Sequence, residues 1–307
     1  MAMIGMSACA LMAPAPLAGA SAPRVPVCAT PSLQVDFGST GLAASHVNAY
    51  LLFANRSSAS CSLHGYPSVR YVNARGVAFG NPSKPDSQPH GTVILAAGGA
   101  AHALFSESVP GVWSPTACEE KHAAGLRVTP PGSSHAVVLR FPGMVCSGPT
   151  IHESTTASVS SGPGPTPGRC TQTQLVTSLG HARGTAGTTN VPLVFKNPVV
   201  YTCVVHGYPS VSSVSGPHGT RVGPPPADQP GRAPYVWVQP FGGTASATLG
   251  IVATGVYTPS ACQAKPASGL KVRAPHSTHA TYLAYRHLVC TQRTSTHVVP
   301  VVAGPSG

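Results

Sequence analysis

Short runs of alternating apolar and polar residues recur along the chain, and this alternation predicts β-strands. The runs are rich in Val, Leu, Tyr and Phe, and turn residues such as those at 55–60 and 130–132 separate them. We expect about seven strands in each of two stretches of about 120 residues, a pattern typical of a β-sandwich. In the first stretch the predicted strands are 32–37, 47–54, 68–72, 92–95 and 135–141.

The composition strengthens the prediction of an all-β fold. Gly and Pro number 33 each among 307 residues, and only 8% of the residues are charged. Long helices exclude Pro and usually carry Glu, Lys and Arg on their surface, so they are disfavoured here. The hydrophobic fraction of 42% still provides side chains for packed cores, which argues against general disorder.

Eight of the nine cysteines form two sets with matching spacing, separated by 33, 57 and 28 residues in the first set and by 33, 59 and 28 in the second. This agreement indicates a tandem duplication. The first set is Cys28, Cys61, Cys118 and Cys146, and the second is Cys170, Cys203, Cys262 and Cys290. We expect the first two and the last two cysteines of each set to pair, because the last two bracket a predicted hairpin. The sequence leaves the two other connectivities of each set open.

Other short sequence motifs recur at equivalent places in the two copies. CSLHGYPSV at 61–69 matches CVVHGYPSV at 203–211, and GLRV at 125–128 matches GLKV at 269–272. These matches align the copies over most of their length and leave a short insertion in the second copy, between its second and third cysteines. Such an insertion marks a surface loop.

The cysteines define the predicted domain boundaries: copy 1 at 28–146, copy 2 at 170–290 and a tail at 291–307. Residues 147–169 contain 17 Ser, Thr, Pro or Gly among 23. That composition predicts a flexible linker that lets the two domains move independently.

The recurring motifs, in this order, resemble those of the actinobacterial domain of unknown function 4232 (DUF4232). The resemblance rests on Phe53-Ala54-Asn55, on the Cys-x-x-His-Gly-Tyr-Pro element and on the final Cys after Gly-Leu-Arg-Val, and it covers both copies. It implies an exported or lipid-anchored β-sandwich of the cell envelope with no agreed activity. We therefore expect two tandem immunoglobulin-like β-sandwich domains with two disulfides each. They differ from antibody domains, whose Cys, Trp, Cys spacing is missing.

The first twenty residues predict export. They are almost wholly apolar, carry no charge and end in Ala18-Gly19-Ala20, which fits cleavage by signal peptidase after Ala20, although the usual basic start is absent. Lipidation at Cys9 is the alternative, and cleavage is favoured over it. No other stretch approaches the length of a membrane-spanning helix. The expected location is secreted or associated with the envelope, outside the cytoplasmic membrane.

The sequence offers no recognisable catalytic or metal site. Copy 2 contains a single acidic residue, Asp228, so paired carboxylates are missing there, and the adjacent Glu119 and Glu120 of copy 1 point apart on an extended chain. Motifs of serine hydrolases, zinc proteases and nucleotide-binding loops do not occur. His64 and His206 each follow a cysteine by three residues, but no second pair of ligands accompanies them. We expect no catalytic residue, metal or cofactor.

Copy 2 differs from copy 1 in charge and in aromatic content. The net charge is +11 for the chain, +7 for 170–290 and +2 for 28–146. This positive charge either attracts the protein to polyanions or only keeps it soluble. Strand alternation places Tyr235 and Trp237 on one face, where they either stack on a sugar or apolar partner or fill the core of copy 2. The candidate ligand surface is Tyr235, Trp237, Phe241, Lys271, Arg273 and Arg286.

Together these features predict a non-enzymatic, exported protein that binds or scaffolds cell-envelope components, with copy 2 providing a basic surface. The expected partner is an envelope polymer, an anionic lipid or an envelope protein. Nucleic acid is not expected, because the charge is diffuse and the location is wrong. The alternative is an accessory envelope enzyme with an unrecognised site, for instance at the domain interface.

Overall fold

The computed structural model describes residues 25–171 and 173–305, and these form two similar, nearly all-β domains. The predicted signal sequence at 1–20 and Cys9 lie outside the described residues. In this part of the chain, no helix is long and apolar enough to cross a membrane.

The first domain contains twelve strands and one short helix within the described residues. The strands are β1 (Leu33–Ala43), β2 (His46–Asn55), β3 (Cys61–His64), β4 (Ser68–Val72), β5 (Ala78–Phe79), β6 (Lys84–Pro85), β7 (Thr92–Leu95), β8 (Ala100–Ser108), β9 (Glu120–Thr129), β10 (Val137–Cys146), β11 (Ser154–Thr156) and β12 (Ser160–Ser161). The helix is α1 (Pro115–Cys118), and single 3-10 turns lie at Thr30–Ser32 and Pro110–Val112.

These strands build two main sheets. One sheet has the order β1-β2-β8-β11-β6, with β12 also pairing with β8, and the other has the order β10-β9-β4-β5. Strands β3 and β7 form a separate antiparallel pair. The core contains the inward-facing side chains of both sheets, including Phe53, Phe105 and Leu126, each with no exposed surface.

The second domain repeats this arrangement. Its strands are β13 (Val176–Leu179), β14 (Arg183–Thr185), β15 (Thr188–Asn197), β16 (Cys203–Val205), β17 (Ser210–Val214), β18 (Ala227–Asp228), β19 (Val236–Val238), β20 (Gly243–Val252), β21 (Ala264–Arg273), β22 (Thr281–Cys290), β23 (Thr296–Val298) and β24 (Val302–Ala303). The helix α2 (Pro259–Cys262) corresponds to α1, and a 3-10 turn lies at Thr254–Val256.

The sheets of the second domain follow the same topology. One has the order β13-β15-β20-β23-β18, with β14 pairing to β15 and β24 to β20, while another has the order β17-β21-β22 and β16 pairs with β19. The predicted all-β fold with two tandem domains is thus confirmed, and the sheets are consistent with a sandwich. Each of the five strands predicted in the first stretch overlaps an observed strand: β1, β2, β4, β7 and β10.

Each domain has two disulfides, and their connectivity matches the prediction. The bonds join Cys28 to Cys61, Cys118 to Cys146, Cys170 to Cys203 and Cys262 to Cys290. Four disulfides are typical of a protein that folds in an oxidising environment. In the first domain, α1 brings Cys118 to the end of β10; its N-cap is Ser114, whose hydroxyl accepts a hydrogen bond from Ala117 N at 3.4 Å.

The predicted linker at 147–169 is wrong over its first fifteen residues. Strand β11 pairs with β8 and β6, β12 pairs with β8, and Ile151 and Val159 are buried. The predicted tail at 291–307 is wrong in the same way, because β23 and β24 both pair with β20 and Val301 is fully buried. Backbone hydrogen bonds to β8 and β20 order these segments, and a few apolar side chains anchor them, Ile151 and Val159 in the first and Val298 and Val301 in the second.

Candidate functional site

The two domains contact each other through an aromatic side chain of the second domain. Phe241 lies in the tight turn between β19 and β20, with a positive φ of 56°. Its ring packs against the core of the first domain, 5.1 Å from the ring of Phe141 between centroids. Arg140 Nε donates a hydrogen bond to the Phe241 carbonyl oxygen at 2.8 Å. Phe241, predicted as part of a ligand surface, therefore belongs to the domain interface.

A second contact joins the bulged part of β1 to the segment before β16. Thr40 Oγ1 donates to the carbonyl oxygen of Val200 at 2.6 Å and accepts from Thr202 N at 2.6 Å. Thr40 and Thr202 are 8% and 5% exposed, so water competes little for these bonds. The expectation that the domains move independently is wrong, because polar and apolar contacts both hold them together.

The two domains also border a groove of about 440 Å³. One wall is the outer face of β19, with Tyr235 just before the strand and Trp237 within it. The other wall is the outer face of β1 and β2, where Gln34, Asp36 and Leu52 lie. Because each domain contributes one wall, the groove exists only while the domains are docked.

Strand alternation in β19 decides where the aromatic side chains point. Val236 and Val238 are buried in the core, whereas Tyr235 is 71% exposed and Trp237 is partly exposed on the opposite face. The predicted shared face of Tyr235 and Trp237 is confirmed, and the alternative that they fill the core of copy 2 is wrong. The Tyr235 ring stacks on His206, with a centroid distance of 4.3 Å and an interplanar angle of 21°.

Hydrogen-bond acceptors line the groove beside the rings. Gln34 Nε2 donates to Asp36 Oδ2, and Arg56 Nε donates to Gln34 Oε1 at 2.6 Å, so this arginine supports the polar wall from outside. On the other side, Gln239 Oε1 is buried and has no hydrogen-bond partner among the described residues. Asp36 is the one charged side chain among the described residues that line the groove.

The three basic residues of the predicted ligand surface lie outside this groove. Lys271 is opposite Tyr282 in the β21–β22 ladder, and Arg273 Nη2 donates to Ser210 Oγ at 3.3 Å. Arg286 lines another cavity, of about 610 Å³, beside Leu288. The structure therefore brings Tyr235 and Trp237 together but does not join them to the basic residues.

The sequence did not reveal a buried acidic cluster in the first domain. Tyr71 Oη donates to Glu107 Oε2 at 2.7 Å, and both carboxylate oxygens of Glu153 lie 2.9 Å from Cys146 N, which donates to them. Glu107 and Glu153 are 7% and 6% exposed. Burial raises the pKa of Glu107 to about 8 against the hydrogen bond from Tyr71, and the nearby Glu153 raises it further.

Burial is also the main cause of the raised pKa values of Glu153 and Tyr71, the other two members of the cluster. Burial raises the pKa of Glu153 to about 7, although the hydrogen bonds from Cys146 N and Tyr71 oppose the shift. Burial, followed by the two nearby carboxylates, raises the pKa of Tyr71 well above its usual range. Both carboxyl groups therefore hold their protons to a higher pH than ordinary glutamates do.

The second domain replaces this cluster with neutral groups. Ser213 stands at the position of Tyr71, and its Oγ lies 2.9 Å from His287 Nε2. Cys290 N donates to Ser295 Oγ at 3.1 Å, where Cys146 N meets Glu153 in the first domain. Burial lowers the pKa of His287, although a hydrogen bond to the Tyr285 carbonyl opposes the shift. The acidic cluster is therefore specific to the first domain.

The histidines singled out in the sequence have ordinary local contacts. His64 Nδ1 lies 3.1 Å from Thr92 Oγ1, across the β3–β7 pair, and its ring contacts His90 edge-on at 4.9 Å. His206 stacks on Tyr235 as described. Over 25–171 and 173–305, no group of three or more His, Cys, Asp or Glu residues is placed to hold a metal ion.

Comparison with known families matches each half of the chain separately. Residues 28–161 and 170–303 both match a family described as a domain of unknown function, DUF4232. The chain belongs to the DUF4232 family. The matched DUF4232 segments extend beyond the last cysteine of each copy and include β11, β12, β23 and β24, which agrees with the strand pairing. No curated protein matches the chain.

Proposed function

We propose that this DUF4232 protein is an exported, non-enzymatic binding protein of the cell envelope, and that it holds an envelope polymer in the groove between its domains. The single observation that carries the proposal is the outward placement of Tyr235 and Trp237 in a groove of about 440 Å³. Large aromatic faces left open to solvent beside polar groups are characteristic of binding surfaces.

Export is supported by two independent features. Residues 1–20 have the apolar, uncharged composition and the small residues before the cleavage point that signal peptidase recognises. All eight cysteines of the two domains are oxidised in pairs, as expected outside the cytoplasm. Both features favour a secreted or envelope-associated protein.

The basic surface of the second domain has a separate part in this proposal. Residues 170–303 carry nine basic side chains and one acidic, whereas 28–161 carry seven and six. Such a charge attracts the protein to anionic envelope surfaces and weakens with salt. The groove then provides binding that persists when the charge is screened.

The test is co-sedimentation of the chain that begins after Ala20 with isolated cell envelopes and with anionic lipid vesicles, at low and high ionic strength. We expect Trp237→Ala to abolish retention on envelopes at high salt, and Trp113→Ala, the change of the only other tryptophan, to leave it intact. Charge reversal at Lys271, Arg273 and Arg286 should weaken retention at low salt only. Equal retention of the two tryptophan variants would refute binding in the groove.

A further inference from the structure

The two walls of the groove offer different chemistry at a short distance from each other. Trp237 and Tyr235 line one wall with aromatic rings, and Asp36 and Gln34 line the other with a carboxylate and an amide. A sugar ring has one apolar face of C–H groups and a rim of hydroxyls. It can therefore pack on an aromatic face while its hydroxyls donate to the acceptors.

Two buried acceptors on the second-domain side are left without partners. Gln239 Oε1 and Ser246 Oγ are buried and make no hydrogen bond within the described residues. Gln239 lines the groove, whereas Ser246 lies behind it, two residues after the lining residue Thr244 and on the same side of β20. An unpaired buried acceptor costs stability, and a donor brought by a ligand removes that cost.

The charge and size of the groove narrow the class of ligand. Asp36 is the one charged side chain among the described residues that line the groove, and it repels an anionic group. Arg56 bonds to Gln34 from outside the lining, and Lys271, Arg273 and Arg286 lie elsewhere. The volume of about 440 Å³ is near the lower end of the roughly 300–1,000 Å³ typical of small-molecule sites. It suits one or two sugar rings better than a folded partner.

We propose that the interdomain groove binds an uncharged, hydroxyl-rich sugar unit of a polysaccharide, stacked on Trp237 and hydrogen-bonded to Asp36 and Gln239. This inference rests on the proposed envelope-binding function and specifies its ligand. Because the sugar is uncharged and binds away from the basic surface, its affinity for the groove should not depend on salt.

The two tryptophans of the chain provide the measurement. In a Trp113→Phe background, Trp237 is the only tryptophan, and its fluorescence reports directly on the groove. The probes are hexasaccharides of mannose, galactose, arabinose and N-acetylglucosamine, with hexagalacturonate as the anionic comparison and choline as the cationic one. We expect a saturable change with at least one neutral hexasaccharide, with equal dissociation constants at low and high ionic strength.

Three variants in the same background test the contacts. Asp36→Asn should weaken binding of the neutral sugar about tenfold, as expected for loss of a hydrogen bond to a charged group. Gln239→Leu should weaken binding but leave Tm unchanged or raised, since it removes an unpaired buried acceptor, a combination that a purely structural role does not produce. Gln88→Leu, on a loop outside the groove, should change neither property.

The outcomes distinguish the ligand class from the wider function. No response to any neutral hexasaccharide, or tighter binding of hexagalacturonate or choline, overturns the sugar proposal. If Trp237→Ala nevertheless abolishes retention on envelopes, envelope binding in the groove stands and only the ligand class is wrong. If retention is unchanged in Trp237→Ala, both proposals fail.

Discussion

The buried carboxyl pair of the first domain predicts that this domain becomes less stable as the pH rises. In the folded domain Glu107 keeps its proton until about pH 8 and Glu153 until about pH 7, whereas ordinary glutamates ionise near 4.5. The folded state therefore binds more protons than the unfolded state throughout this interval. The stabilisation is complete below about pH 4.5 and is lost as the pH rises through 7 and 8.

The raised pKa of Glu107 determines how much stability the first domain loses as the pH rises. A rise from 4.5 to about 8 lowers the free energy of unfolding by about 3 kcal/mol between about pH 5 and about pH 8. Glu153 adds to this loss with the same sign. The second domain contains one acidic residue in 170–303, the exposed Asp228, and lacks the cluster, so it serves as an internal comparison.

The assay is urea unfolding as a function of pH, with each domain followed by its own tryptophan. Trp237→Phe leaves Trp113 to report on the first domain, and Trp113→Phe leaves Trp237 to report on the second. The Glu107→Gln variant keeps an oxygen that accepts from Tyr71 but does not titrate, so its pH dependence should be shallower by about 3 kcal/mol over the same interval. Equal pH dependence of the two domains, or an unchanged slope in Glu107→Gln, would show that the buried carboxyl pair does not control the stability of the first domain.

Three further predictions concern the docking and the stability of the domains. Phe241→Ala should weaken domain docking by about 2 kcal/mol and increase the radius of gyration in small-angle X-ray scattering; an unchanged radius would contradict the interface. Replacing both Cys262 and Cys290 by Ala should lower the free energy of unfolding by about 3 kcal/mol, measured by denaturant titration under oxidising conditions; a loss near zero would count against it. Gly148→Ala should lower the free energy of unfolding by at least about 2 kcal/mol, because its Cβ would lie 1.9 Å from the Ala117 carbonyl oxygen. Gly111→Ala, at a position with open space around the new Cβ, should change it by less than about 0.5 kcal/mol, and similar melting temperatures of the two variants would contradict this.

The repeat, the disulfide pairing and the strands could be predicted because they depend on local patterns. Cysteine spacing brackets hairpins, and alternation along β19 already placed Tyr235 and Trp237 on one face. The segments after the last cysteine of each copy were missed because strands such as β11 and β24 are held by backbone hydrogen bonds to β8 and β20. Residues 147–161 are rich in Ser, Thr, Pro and Gly and carry little hydrophobic signal, whereas the apolar run VVPVV at 298–302 is a strand signal that lies beyond the boundary predicted from the last cysteine.

The groove and the acidic cluster depend on contacts between distant segments, which one sequence does not display. Phe241 sits in a turn, where strand alternation ends, so nothing in the pattern assigns its ring to the other domain. Glu107 did leave a signal. It follows Ala101, Ala103 and Phe105 at two-residue spacing on the buried face of β8. Its neighbour Glu153 could not be predicted, because Glu153 lies in the segment that the composition predicts to be a linker.

Hydrogen–deuterium exchange of the chain bound to sedimented envelopes at high ionic strength would show whether the envelope ligand lies between the two domains. We expect new protection on both walls of the groove, at residues 33–36 of the first domain and 234–239 of the second, with little change on β21 and β22. Protection confined to β21 and β22, or absent from one of the two walls, would contradict binding between the domains.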